Sequence, residues 1–231
     1  MYIKKAILNT NQLTKMQKFY CEIMNLPLIT STTTLFEVQV GTSILSFIQS
    51  EKMEETQYHF AFNIPSNLFK KAKEWLRAKV ELLEEDGADE IFFEWSNAHS
   101  VYFLDPCENV LEFIAQHDVS PSRDEEYFSS DLIVNIGEMN VTTDDVLLVG
   151  ETLKQLGIPV GKHAQLDEKS LNFMGEKEDG TFLLLGPSGR TWYFSSKKAI
   201  VSPVKLELSN HLTLILDSEG HLSAIKTDEQ K

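Results

Sequence analysis

One carboxylate in the sequence sits badly among its neighbours. Glu112 lies in the run Val110–Ala115, Val-Leu-Glu-Phe-Ile-Ala, which reads as an apolar strand. Alternate side chains on a strand share a face, so Glu112 stands with Val110 and Ile114. An ionised carboxylate buried there costs on the order of several kcal/mol unless a cation, a metal or a set of donors compensates it. A second candidate is His59, in Tyr58–Pro65, where His59, Ala61 and Asn63 share one face and Tyr58, Phe60 and Phe62 the other. Such a half-polar face suits the lining of a cavity, and a neutral imidazole is a common metal ligand. Aromatic residues in the runs around them, Trp95 and Tyr102 among them, supply walls for a flat or hydrophobic molecule.

Other chemistries find little support. Cys21 and Cys107 form no C-x-x-C pair and have no base at a fixed spacing. No strand–turn–helix elbow presents a serine nucleophile. Gly186–Arg190, Gly-Pro-Ser-Gly-Arg, precedes a strand-like run rather than a helix, so it reads as a turn and not as an anion-binding nest.

The elements that must position these residues recur in one order. A strand at Tyr2–Thr10 precedes a helix from Leu13 whose Leu13, Met16, Phe19 and Ile23 form an apolar stripe, and β-rich runs follow to residue 50. The strand at Tyr58–Pro65 precedes a helix that Ser66 is placed to cap, then three strand candidates ending in the one that holds Glu112. Residues 119–130 are polar and charged and read as a linker. A third unit opens with Leu132–Thr143, continues through a helix that Thr143 or Asp144 caps, and closes with strands at 181–186 and 190–195. Further strands fill 204–225. The chain thus reads as α+β, with β-α-β-β-β units at 1–50, 56–118 and 131–231, the last carrying extra C-terminal strands. The first two units are expected to pair as one domain, 1–118, which leaves the third without a partner of its own kind; either the terminal strands cover it or two chains dimerise through it, and a homodimer is the favoured expectation.

Composition narrows the partners. The 231 residues hold 21 Lys and Arg against 35 Asp and Glu, a formal charge of −14, which disfavours nucleic acid and anionic membrane surfaces. No apolar run reaches the ~18 residues that span a bilayer, so cytoplasm is the expected location.

The run Ser100–Ile114, with its Asp-Pro-x-x-Asn turn and central Glu112, the strand at Tyr58–Pro65, and the opening strand and helix with Phe19-Tyr20 together resemble the vicinal oxygen chelate superfamily of glyoxalases, bleomycin-resistance proteins and ring-cleaving dioxygenases. The resemblance implies paired units forming an open cup, with a divalent metal held by the first and last strands of both. His59 and Glu112 match two of those ligand positions. At the other two the chain has Lys5 and Ser46, which are poor ligands: an ammonium has no lone pair and a hydroxyl binds transition metals weakly. Glu94 and His99 are substitutes by proximity in sequence. Glu138 takes the first-strand position of the third unit but lacks a closing carboxylate there, so no metal site is expected in that unit. Two functions follow. In one the cup binds a small hydrophobic or aromatic molecule without metal, a Lys5 ammonium neutralising Glu112, with His59, Ser46, Trp95 and Tyr102 around the ligand. In the other the protein is a metal-dependent lyase or dioxygenase holding one Fe, Mn, Zn or Ni ion on His59 and Glu112.

Overall fold

The computed structural model describes residues 1–50, 55–161 and 164–226, which form two seven-stranded mixed sheets and three α-helices. The first unit contributes β1 (Ile3–Thr10), α1 (Leu13–Lys18), β2 (Leu28–Ser31), β3 (Leu35–Val40) and β4 (Ser43–Gln49). The second contributes β5 (His59–Asn63), α2 (Phe69–Arg77), β6 (Ile91–Phe93), β7 (Ala98–Leu104) and β8 (Val110–Gln116). The third contributes β9 (Asn135–Thr142), α3 (Val146–Gln155), β10 (Asn172–Met174) and β11 (Phe182–Gly186), and the chain closes with β12 (Val204–Leu208), β13 (Leu212–Leu216) and β14 (Leu222–Lys226). Among the described residues no helix is long and apolar enough to cross a membrane.

Strand alternation builds the core. In β3 the residues Phe36, Val38 and Val40 are buried while Leu35, Glu37 and Gln39 are half-exposed, and β12 and β13 repeat the pattern. In the second sheet Phe60, Phe62, Phe103 and Phe113 turn to the same side, and both sets join one cluster with the helices. Each fully buried aromatic or aliphatic side chain in it is worth ~1.5–3 kcal/mol relative to exposure. On α2 the buried stripe is Phe69, Ala72 and Leu76. Its Trp75 stacks on Phe113 at 6.2 Å and meets Phe128 edge-on at 5.5 Å. Phe128 anchors the irregular 119–130 segment in this way.

The units do not pair as the sequence suggests. The second sheet runs β10-β11-β9-β5-β8-β7-β6, so the second unit pairs with the third; the first runs β14-β13-β12-β1-β4-β3-β2, so the first unit pairs with the C-terminal strands. Both joins use the first strand of a unit. Antiparallel β12 takes the free edge of β1 along Ile3–Leu8, which leaves the edge of β5 to β9. The third unit therefore has its partner within the chain, and the reason for expecting a homodimer disappears.

Three local expectations also change. Residues 190–195 form turns and one bridge, Thr191 to Lys198, instead of a closing strand. Leu68, not Ser66, precedes the first residue of α2, and the Ser66 N–H donates to Pro121 O at 3.0 Å. Asp145 is the N-cap residue of α3, its N–H donating to the Thr143 hydroxyl at 3.0 Å. The first helix passes after Lys18 into a π-helical turn, Phe19–Ile23.

Candidate metal centre and ligand cavity

At the centre of the second sheet β5 lies between β8, parallel to it, and β9, antiparallel to it. The registers align Glu112 with Ala61 and Ala61 with Glu138, so the two glutamates flank one small residue on a single face. His59 is two residues before Ala61 and shares that face. Among the described residues His59, Glu112 and Glu138 form the one set of three candidate ligands, their ligand atoms all within 4.8 Å of one another. All three are buried. The sequence isolates Glu138 because its own unit offers it no partner; the partners come from the neighbouring unit. Its surroundings, Ile-Gly-Glu-Met-Asn-Val, carry the same signal as those of Glu112, a carboxylate in a buried strand.

The imidazole is set up to give a lone pair. His59 Nδ1 lies 2.9 Å from Val110 O. A carbonyl can only accept, so the neutral ring carries its proton on Nδ1 and turns an unprotonated Nε2 toward Glu112 Oε2, 3.5 Å away. The His59 backbone N–H donates to Asn140 Oδ1 at 3.1 Å, and the ring stacks on Trp192 at 4.6 Å. Glu112 Oε1 is buried without a hydrogen-bond partner among the described residues. Burial first, and then the charge of Glu112, hold the Glu138 carboxyl well above the usual carboxylate range. Burial, reinforced by both glutamates, likewise raises the Tyr102 phenol. Tyr102 stands directly opposite Glu112 across β7 and β8.

This donor set fits a divalent cation. It offers one neutral nitrogen and two carboxylates at close range, one oxygen lacking any partner, and no lysine or arginine ion pair to either glutamate among the described residues. The β5–β9 pairing also explains why there are three candidate ligands. Continuing its register puts His59 opposite Asn140, and the β11 neighbour of Asn140 is Leu184. Leu184 occupies the place that mirrors Glu112, so one quadrant is apolar and three protein ligands leave room for exogenous oxygen atoms.

Above the cluster opens a cavity of about 400 Å³ whose walls include Phe93, Trp95, Tyr102, Phe173, Trp192 and Tyr193. Trp95 and Tyr102, read from the sequence as ligand-facing, both line this cavity. Lys5 and Ser46 are not. Both belong to the first sheet, where Lys5 Nζ pairs with Glu37 Oε1 at 2.6 Å and Ser46 Oγ donates to the same oxygen at 3.1 Å. The ammonium expected to face Glu112 faces Glu37, because β1 and β8 lie in different sheets. His99 is also elsewhere, with its Nδ1 2.7 Å from His117 Nε2, and Glu94 is not in the cluster. Arg190 and Trp192, on the cavity wall, lie in a stretch that the sequence assigns to a closing strand.

The comparisons fit this architecture. Residues 136–190 match the model of a family described as toxoflavin-degrading enzyme. No curated protein matches the chain. A solved structure of a putative dioxygenase from Bacillus subtilis superposes over 99% of this chain and 86% of its own, at TM-score 0.63 and 13% identity. The chain therefore has the fold of that structure over nearly its whole length. Shorter superpositions are found with a glyoxalase/bleomycin resistance protein/dioxygenase from Nocardioides (TM-score 0.42, 18% identity, 54% of this chain and 89% of that one). Another is with a fosfomycin resistance protein from Listeria monocytogenes in complex with Mn(II) (TM-score 0.38, 23% identity, 47% and 85%).

Proposed function

We propose that this protein is a metal-dependent enzyme of the vicinal oxygen chelate superfamily acting on a small, flat, oxygen-bearing molecule, of the lyase or ring-cleaving class, with His59, Glu112 and Glu138 holding one divalent ion. The observation that carries this reading is the convergence of an Nε2 lone pair and two buried carboxylates below an aromatic-walled cavity. The match to a toxoflavin-degrading family model supports a degradative role, since residues 136–190 include Glu138 and much of that cavity. One nitrogen and two carboxylates favour Mn(II) or Fe(II) over softer ions. A bound ion supplies Lewis acidity to adjacent substrate oxygens and offsets negative charge developing on them.

The chain's own groups do the rest. The His59 ring is fixed by Val110 O and by the face of Trp192. The Tyr102 phenol stays protonated and stands opposite Glu112 as a neutral proton donor. Trp95, Phe93 and Tyr193 restrict the ligand to a slab and keep water from it.

Titration of chelator-stripped protein with Mn(II), followed by electron paramagnetic resonance, tests the reading. About one ion per chain is expected. His59→Ala, Glu112→Gln and Glu138→Gln should each weaken it by ~10-fold or more. Failure of wild type to bind Mn, Fe, Ni or Zn would refute the metalloenzyme and leave a metal-free small-molecule carrier.

A further inference from the structure

The cavity carries two hydrogen-bond donors that no described residue satisfies. Arg190 Nη1 and Trp192 Nε1 are both buried and both lack an acceptor, and both residues line the cavity that opens over the metal cluster. A buried donor without a partner costs about 1–3 kcal/mol. Two of them on neighbouring residues of one wall mark a place where an acceptor belongs. The guanidinium lies over the Trp192 ring, 5.1 Å from its centroid, and 5.8 Å from that of Tyr193, so cation–π contacts hold it on this wall.

The segment bearing them is braced. Ala199 N–H donates to Arg190 O at 2.7 Å, Gly189 N–H to Ala199 O at 2.7 Å and Trp192 N–H to Lys197 O at 3.0 Å. The lining carries both signs of charge, with Glu112 and Glu138 buried, Arg190 half-buried and Lys169 exposed.

We infer that Arg190 and Trp192 form an oxyanion-binding subsite, and that the cavity selects flat aromatic monoanions, whose charged oxygen takes both unsatisfied donors while the ring lies between the aromatic walls. This deepens the function proposed above by naming the substrate class. It rests on the cup being the ligand site, but not on the metal. The guanidinium provides a charge-assisted bond and the indole N–H a second, neutral one. Arg190 therefore sets discrimination by charge, and Trp192 contributes to any ligand bearing an oxygen acceptor.

Calorimetric titration of the full chain with 2-naphthoate and with neutral 2-naphthamide, in chelator and again with Mn(II), tests the subsite. Naphthoate is expected to bind ~10-fold or more tighter than the amide in both conditions. Arg190→Met should remove most of that preference with little change for the amide, and Arg190→Lys should restore part of it. Trp192→Phe, which keeps a ring beside His59, should weaken both probes by several-fold. Naphthoate binding that ignores Arg190, or that needs Mn(II) and vanishes in chelator, would overturn the inference, as would equal loss of both probes in Arg190→Met with an unchanged melting profile. Persistence of the Arg190 preference in a wild type that binds no metal would instead sink the metalloenzyme reading alone.

Discussion

At the scale of single residues, the buried acids show how far charge placement reveals a site. Glu112 and Glu138 lie across one alanine from each other in a sheet interior, an arrangement unfavourable unless a cation or a proton joins them. The consequence for stability has a definite sign. Burial and the Glu112 charge raise the folded-state pKa of Glu138 above its unfolded value. A raised pKa gives stability that is complete below the unfolded value and is lost as pH rises through the folded one. Metal-stripped protein should therefore lose stability from about pH 5 upward. Glu138→Gln should flatten that slope and melt higher than wild type at pH 8 in chelator, by about 1–3 kcal/mol. Thermal unfolding of both proteins across this range checks it, and a variant less stable than wild type at pH 8 would contradict it. The sequence makes Glu112 and His59 legible because each interrupts an apolar pattern. Glu138 interrupts one equally, but its partners are about 25 and 80 residues away in another unit, and no local pattern joins them.

At the scale of elements, β5 is the hinge of the site because Ala61 separates the two glutamates. Its Cβ points into the cup, opposite to Phe60 and Phe62, and it packs with Ala98 and Ile114. A larger side chain there would occupy the space between the carboxylates. Ala61→Leu is expected to leave a folded protein, at an overpacking cost of ~1–3 kcal/mol, yet to weaken Mn(II) binding by ~10-fold or more. Unchanged affinity in the same resonance titration would show that the ion does not sit over Ala61. The β7–β8 turn offers a second test. Asp105 Oδ1 accepts from the N–H of Cys107 at 2.9 Å and of Asn109 at 3.0 Å, while Oδ2 accepts from Asn109 Nδ2 at 2.8 Å and from the Tyr20 hydroxyl at 2.9 Å. Burial lifts this acid to about 6 despite those four donors. Tyr20 comes from the first unit, so the turn that sets the register of Glu112 is tied to the other sheet. Asp105→Ala strands four donors, Tyr20 among them, and should destabilise by ~2–4 kcal/mol in chemical denaturation. A change below ~0.5 kcal/mol would mean that the turn holds its shape without them. The Asp-Pro-x-x-Asn motif is visible in the sequence; its long-range partner is not, since nothing near Tyr20 points to residue 105.

For the whole molecule, the order of strands and helices follows from hydrophobic periodicity, but the choice of which units pair does not. Every unit presents one apolar face and one free first-strand edge, so pairings of first with second, or second with third, satisfy the same pattern. The C-terminal strands decide between them. Val204, Leu206 and Leu208 of β12 continue the buried face of β1, and β13 and β14 extend it. By claiming the edge of β1, β12 leaves β5 to meet β9, and only that meeting brings Glu138 to His59 and Glu112. The terminal strands thus act on the candidate metal centre from the opposite sheet. Truncation after residue 203 should uncover the edge of β1 together with the buried face beside it, an open invitation to pairing between chains. The truncated chain is expected to self-associate in light scattering, and its Mn(II) affinity to fall because β5 and β9 lose three of the seven strands of the sheet against which their core face packs. A truncated chain that stays monomeric and binds Mn(II) as wild type does would show that the second and third units form the cup unaided.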